Sequence, residues 1–136
     1  MMLKDTARTY YLNDYNCAEA LLRAINDVYH LNLSEDALKL AAGFGGGMGC
    51  EKACGALTGA VAAMGPLLVT GKAHDLQGFG KVCADWVACF VQELGDDQCG
   101  PLKAMYRKED GTRCLETVER GAEAFEKFVQ AYKIRD

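Results

Sequence analysis

The sequence predicts an all-α fold, a compact bundle of five or six helices around a central helix rich in glycine and alanine. Apolar residues recur at spacings of three and four along most of the chain, as they do on one face of an α-helix. No segment alternates apolar and polar residues convincingly, and no hairpin signal of the Asn-Gly type is present. The 136 residues are half apolar and a quarter charged, so we expect residues 1–136 to form a single helical domain.

The first third of the chain predicts three helices. A short helix covers residues 4–12, and a second begins near Asn16 as its N-cap and carries an apolar face to residue 28. Ser34 is the expected cap of the third helix, over 35–42, where acidic residues in the first turn favour the helix dipole. A glycine at position 43 is expected to end it.

A glycine-rich stretch then dominates the middle of the chain, where residues 43–65 read GFGGGMGCEKACGALTGAVAAMG. A helix is predicted over about 50–68, with Pro66 expected to close it early. Small residues recur every four positions on this helix, so one side is nearly free of side chains. Such a side allows close approach of another backbone, from the same chain or from a second subunit in a homodimer.

The second half predicts a fifth helix over 74–94, whose apolar stripe includes Trp86 and Phe90. A short turn or helix at 99–106 follows, then a polar loop and a last helix over 114–132. Every predicted element is therefore helical.

The net charge of −4 argues against a nucleic-acid partner or an anionic membrane surface, since both favour a basic patch. The longest apolar run, 53–69, is interrupted by Thr58 and falls short of bilayer length. The first residues lack the apolar core of a signal peptide. We therefore expect no nucleic-acid partner, no membrane insertion and a cytoplasmic location.

Seven cysteines are a high and odd number for a protein in a reducing compartment, which favours metal binding or thiol redox chemistry over a disulfide framework. Two or three of them are expected to pack simply as small hydrophobic residues. We assign Cys83 to the core and leave Cys89 undecided. His30 and His74 are isolated and are not expected to be ligands or bases.

Cys50 and Cys54 are four residues apart at the start of the predicted central helix, so they are expected to share one helix face. The unpaired amides and the helix dipole at such a position favour the thiolate. A metal shared by the two sulfurs is geometrically easier than a disulfide within the helix.

Four cysteines, Cys17, Cys54, Cys99 and Cys114, stand near predicted helix starts and can converge if those ends are gathered together. Soft thiolate ligands suit an iron-sulfur cluster or zinc. The glycine loop could instead cradle a phosphate, but it lacks the Lys-Ser or Lys-Thr ending of a P-loop and no strand precedes it. We therefore expect a sulfur site rather than a nucleotide site.

The motif at 54–59, Cys-Gly-Ala-Leu-Thr-Gly, has the form CGAxxG and follows the glycine loop, with NCAEA upstream at 16–20 and Cys99 and Cys114 downstream. In these residues the chain resembles the C-GCAxxG-C-C family of redox-active proteins, from about residue 15 to 124. The resemblance implies a redox role, an iron-sulfur centre, and a partner such as an oxidoreductase or a transport system. Some relatives are exported by the twin-arginine route, and no such signal is seen here, which favours an intracellular form.

Carried over residue by residue, the family cysteines fall on Cys17, Cys54, Cys99 and Cys114, as cofactor and metal ligands. Cys50 remains an extra thiol that could also bind the metal, and Cys83 and Cys89 lie outside the pattern.

Three functions follow in order of preference. The first is a small redox protein whose four family cysteines bind an iron-sulfur cluster and pass single electrons to or from a partner. The second is a thiol-disulfide redox protein with Cys54 as nucleophile and Cys17, Cys50, Cys99 or Cys114 as resolving thiol. The third is a zinc-bound structural module without redox activity.

Overall fold

The computed structural model of the protein describes residues 2–132, and every regular element in that part of the chain is helical. There are seven α-helices in it: α1 (Leu3–Leu12), α2 (Cys17–Val28), α3 (Glu35–Leu38), α4 (Gly55–Leu68), α5 (Phe79–Leu94), α6 (Cys99–Tyr106) and α7 (Leu115–Tyr132). The prediction of a compact all-α fold is confirmed. The helices number seven rather than five or six, because residues 99–106 form a complete helix.

The start of α2 follows the predicted capping chemistry. The Asn16 side chain accepts a hydrogen bond from the Glu19 N–H (2.9 Å), and the Glu19 carboxylate accepts one from the Asn16 N–H (2.9 Å). This reciprocal pair is a capping box. The Asn16 amide group also donates to the Ala42 carbonyl (2.9 Å), which ties the start of α2 to the residues before the glycine loop.

Two predicted boundaries around the glycine loop are wrong. The third helix changes after Leu38 into a 3₁₀ helix over Lys39–Phe44, so Gly43 does not end it. The next α-helix begins at Gly55 rather than at 50, because residues 47–51 form a π-type turn with left-handed backbone angles.

Two further differences concern α4 and α5. Pro66 does not close α4 early; the helix runs to Leu68, and the Val69 N–H donates to the Gly65 carbonyl (2.7 Å) beyond the proline. The fifth helix begins at Phe79 instead of 74, because the preceding Gly78 has a left-handed φ of 83° that no regular helix contains.

The small-residue side of α4 packs against α2 of the same chain. A Cβ built on Gly59 would lie 2.4 Å from the Ala18 carbonyl oxygen, so only glycine permits this approach. On another side of α4, the fully buried Trp86 of α5 donates its indole N–H to the Leu57 carbonyl (3.3 Å). The Phe125 ring of α7 meets Trp86 edge to face at 5.0 Å, which joins α4, α5 and α7 in one core.

Among residues 2–132, none of the helices combines the length and hydropathy required to cross a bilayer.

Candidate functional site

The glycine loop folds back onto the start of α6. Gly46, Gly47 and Gly49 have φ values of 63°, 62° and 73°, a region that glycine enters without strain. Gly47 is also confined by its neighbours, since a Cβ there would lie 2.5 Å from the Lys52 nitrogen and 2.8 Å from the Cys99 Cβ. The glycines therefore bring the loop backbone into direct contact with a cysteine.

A short backbone pairing holds Cys54 beside Cys99. The Cys99 N–H donates to the Lys52 carbonyl (2.6 Å), and the Cys54 N–H donates to the Asp97 carbonyl (2.8 Å). An antiparallel bridge between Ala53 and Gln98 lies between these two bonds. The two cysteines are 45 positions apart in sequence, yet this pairing fixes them as neighbours at the starts of α4 and α6.

Cys17 approaches the same place from α2. It is the first residue of that helix, and a Cβ built on Gly55 would lie 2.4 Å from the Cys17 sulfur. Gly55 directly follows Cys54, so the glycine allows the Cys17 sulfur to lie against the start of α4. Gly55, the first glycine of the CGAxxG motif, thus has a steric role at the cysteine site.

Cys114 completes the group from the residue before α7. Its N–H donates to the Tyr11 hydroxyl of α1 (3.1 Å), and its sulfur accepts a hydrogen bond from the Arg107 guanidinium (3.8 Å). The loop between Arg107 and Cys114 is closed by the bond from the Lys108 N–H to the Arg113 carbonyl (3.0 Å). Cys114 is therefore held by both α1 and the loop after α6.

These four cysteines line one cavity of about 180 Å³, called the cysteine cavity below. Its wall also contains three cationic side chains, three polar side chains, a glycine and a leucine: Lys103, Arg107, Arg113, Tyr11, Asn16, Thr117, Gly46 and Leu102. The structure thus brings together the four cysteines that the sequence singled out. Their role as ligands stays a prediction.

The charge around the cysteine cavity is positive. None of the described residues in its wall is acidic. Lys103 forms an ion pair with Glu51 at 3.2 Å, and the Arg113 guanidinium lies over the Tyr11 ring, 4.9 Å from its centre. Such a wall favours a group that carries negative charge, as a set of thiolates with bound metal does.

Burial dominates the acid-base chemistry of Cys17, Cys54 and Cys99. Burial, with a smaller effect of Cys17, raises the pKa of Cys54 from 9.0 to about 12. Burial also raises the pKa of Cys17 and of Cys99, the latter against the opposing charge of Lys103. The helix start favours the thiolate of Cys54 as predicted, since the amides of Ala56 and Leu57 lower its pKa, but in the metal-free protein the loss of solvation outweighs them.

Cys50 is separate from this group. Its φ of −132° is not helical, so it does not share a helix face with Cys54 as the spacing predicted. It is exposed, its thiol donates to the Gly47 carbonyl (3.5 Å), and it is not part of the wall of the cysteine cavity. Cys83 and Cys89 lie on α5, partly buried against the hydrophobic core.

The wall contains an unsatisfied polar group. Thr117 is 4% exposed, and its hydroxyl is buried without a hydrogen-bond partner among residues 2–132. A buried hydroxyl without a hydrogen-bond partner destabilises the folded protein. Such a group beside a cavity is explained if a ligand in the cavity accepts its hydrogen bond. Together with four soft sulfur donors, this residue fits an iron-sulfur group, whose sulfur atoms accept hydrogen bonds.

Sequence reasoning missed most of the residues around the sulfurs. The sequence predicts Asn16 only as a helix cap, and it gives no site role to Tyr11, Arg107, Arg113 and Thr117. One local signal was available for the arginines, since both stand in the polar loop that ends at Cys114. The others depend on contacts between distant segments.

Fold and site define a small all-helical protein with four cysteines around one cavity. The chain belongs to the family described as "Putative redox-active protein (C_GCAxxG_C_C)", whose model matches residues 15–128, and the predicted family is thereby confirmed. An uncharacterized protein of Archaeoglobus fulgidus is 30% identical, over 79% of this chain and 80% of its own length. No solved structure matches the chain.

Proposed function

We propose that this protein binds an iron-sulfur cluster through Cys17, Cys54, Cys99 and Cys114 and exchanges single electrons with a redox partner protein in the cytoplasm. One observation carries the proposal: four cysteines from distant parts of the chain line the same cavity, which also contains an unpartnered hydroxyl. Membership of a redox family supports the same conclusion.

The protonation of Cys54 weakens the thiol-disulfide alternative for the free protein. A thiol whose pKa is about 12, such as that of Cys54, has almost no thiolate at neutral pH. Iron or zinc coordinates the thiolate, and a bound cation displaces the proton. The buried sulfurs are therefore better suited to hold a metal centre than to attack a disulfide in the free protein.

The arrangement of the four sulfurs around a cavity, rather than around one point, is the feature that favours a cluster over a single zinc ion. Four sulfurs bound to one zinc at about 2.3 Å would lie roughly 3.8 Å from each other, around the ion itself. Here the sulfurs line a cavity of about 180 Å³, and among residues 2–132 no three His, Cys, Asp or Glu side chains are grouped to hold one metal ion. A cluster would distribute the four thiolates over two or four iron atoms, so the sulfurs would not all need to surround a single ion.

When bound, an iron-sulfur cluster takes up and releases one electron without a change in its protein ligands. The residues of this chain would give that centre its environment. Leu102, which is 1% exposed, excludes water from one side, and Thr117 has a hydroxyl free to donate to a sulfur atom. The Arg107 guanidinium adds a hydrogen bond and positive charge at Cys114.

The test is anaerobic purification, followed by reconstitution with iron and sulfide. Iron and acid-labile sulfide are then measured per chain, and the visible spectrum is recorded. We expect both elements in fixed proportion and a broad charge-transfer absorption between sulfur and iron. A colourless protein without iron after reconstitution would contradict the proposal, and one zinc per chain without sulfide would favour the zinc-bound alternative.

A second candidate is thiol-disulfide exchange, favoured by the proximity of four free thiols around one cavity. The sequence predicts Cys54 as the nucleophile of this reaction, but Cys54 is 4% exposed and burial raises its pKa. Cys114, which is only partly buried and accepts a hydrogen bond from Arg107, is the more accessible thiol. Mass spectrometry of the oxidised protein separates the candidates, because exchange requires one defined disulfide that forms and is reduced reversibly.

A further inference from the structure

We propose that Arg107 is a positioning residue that raises the reduction potential of the centre held by the four cysteines. This inference rests on the proposed function and concerns its regulation by one side chain. Arg107 is outside the motif that defines the cysteine pattern, and its role follows from its contact with the Cys114 sulfur.

The fold holds Arg107 and Cys114 together across a short loop. Arg107 follows the last residue of α6, and its N–H donates to the Lys103 carbonyl (3.0 Å). At the tip of the loop, the Asp110 carboxylate accepts hydrogen bonds from the N–H (3.0 Å) and hydroxyl (2.6 Å) of Thr112. These bonds and the closing bond between Lys108 and Arg113 give the loop a defined shape. The loop backbone therefore helps to hold the Arg107 side chain beside the Cys114 sulfur.

The charge of Arg107 is directed at sulfur rather than at a carboxylate. Among residues 2–132 Arg107 forms no ion pair with an acidic side chain; its guanidinium donates to the Cys114 sulfur at 3.8 Å. The other two cations of the cavity wall have partners other than sulfur, although the charge of Lys103 also acts on Cys99. Lys103 is paired with Glu51, and Arg113 lies over the Tyr11 ring. Arg107 is thus the cation in direct contact with a proposed ligand atom.

The direction of the effect follows from charge. In the reduction one electron comes from the reductant, which is oxidised by one electron, and the ligated centre becomes more negative by one unit. A cation and a hydrogen bond at a ligating sulfur stabilise the more negative state. The wall has no acidic side chain among its described residues; the acidic group that acts on Arg107 is Glu109, from the loop outside the wall, and it offsets only part of the charge.

The test is an anaerobic potentiometric titration of the reconstituted protein, in wild type, Arg107→Gln, Arg107→Lys and Arg120→Gln. Arg120 is a matched control because it pairs with Glu116 (2.9 Å) and lies over the Tyr106 ring (4.7 Å), away from the cysteine cavity. We expect Arg107→Gln to lower the potential at unchanged iron and sulfide content. The potential of Arg107→Lys should lie between those of Arg107→Gln and wild type. The potential of Arg120→Gln should equal that of wild type.

Ionic strength gives a second readout. Arg107 is solvent-exposed, so salt should screen its charge and reduce the difference between wild type and Arg107→Gln. Equal potentials for wild type and Arg107→Gln at full cluster content would overturn the inference, as would an equal shift in Arg120→Gln. If Arg107→Gln does not retain the cluster, Arg107→Lys decides through its salt dependence. Lysine keeps the charge, so the potential of wild type and of Arg107→Lys should fall as salt screens it, and potentials that do not depend on salt in both proteins would overturn the inference. Wild-type protein without iron would instead overturn the proposed function.

Discussion

At the scale of single residues, the seven cysteines have very different environments despite identical chemistry. Cys54 is 4% exposed and has a pKa raised to about 12, while Cys50, four positions earlier, is exposed on the glycine loop. Spacing alone placed these two thiols on one helix face. Left-handed backbone angles at Met48 and Glu51 separate them, and such angles are not expected of residues with a side chain.

This contrast predicts an order of alkylation in the reduced, metal-free protein. With iodoacetamide at about pH 8, Cys50 should react first and Cys54 last, since a rise in pKa from 9.0 to about 12 lowers the thiolate fraction roughly a thousandfold. Raising the pH should speed the reaction of Cys54 up to about pH 12, because its pKa is raised. Mass spectrometry of peptides at successive times measures the order.

Protein unfolded in urea is the control for this labelling, and all seven cysteines should react there at similar rates. Modification of Cys54 as fast as Cys50 in the folded protein would contradict the burial of the cysteine cavity. After reconstitution with iron and sulfide, Cys17, Cys54, Cys99 and Cys114 should be protected while Cys50 remains reactive.

At the scale of the helices, the close contact between α2 and α4 depends on glycine. Replacing Gly59 by Ala would put a Cβ 2.4 Å from the Ala18 carbonyl oxygen, which is backbone and cannot move aside cheaply. Overpacking of this kind costs about 1–3 kcal/mol. We therefore expect Gly59→Ala to lower the free energy of unfolding, as measured by urea denaturation of the reduced, metal-free protein.

Gly80→Ala is the matched control, because Gly80 is also helical and nothing lies within 4 Å of a Cβ built there. Gly80→Ala should leave the free energy of unfolding unchanged or raise it by up to about 1 kcal/mol, which is the difference in helix propensity between alanine and glycine. An equal response to both substitutions would contradict the close packing of α2 on α4.

Helix boundaries were predictable where the signal is local. The caps at Asn16 and Ser34 act within three residues, and both are formed as predicted. The start of α4 was not predictable, since it depends on the pairing of residues 52–54 with 97–99. A bond between segments so far apart leaves no periodic pattern in the sequence.

At the scale of the whole molecule, the cysteine cavity lies where several helices meet. Its sulfurs come from the starts of α2, α4 and α6 and from the residue before α7, and α1 contributes Tyr11. The fold class was predictable because the spacing of apolar residues along the sequence shows which face of each helix is buried. The order of the four cysteines was available from the family motif, but the cationic and hydroxyl groups around them were not, because they are assembled only by tertiary contacts.

A centre bound at this junction should also couple metal loading to overall stability. Binding to the folded state alone stabilises a protein by mass action, and here the ligands join segments from residue 17 to residue 114. We expect the reconstituted protein to unfold at a higher temperature than the metal-free protein in anaerobic calorimetry. Equal unfolding temperatures at full cluster content would contradict attachment across these helices.

The most direct measurement of the central proposal is iron and acid-labile sulfide per chain in a set of single Cys→Ser variants, each reconstituted under anaerobic conditions. Substitution of Cys17, Cys54, Cys99 or Cys114 should lower both contents well below wild type, because each removes a sulfur from the cavity wall. Substitution of Cys50, Cys83 or Cys89 should leave both contents at the wild-type level. Loss of iron and sulfide in Cys50→Ser, with retention in the Cys17, Cys99 and Cys114 variants, would contradict the four-cysteine centre and make Cys50 and Cys54 the active pair.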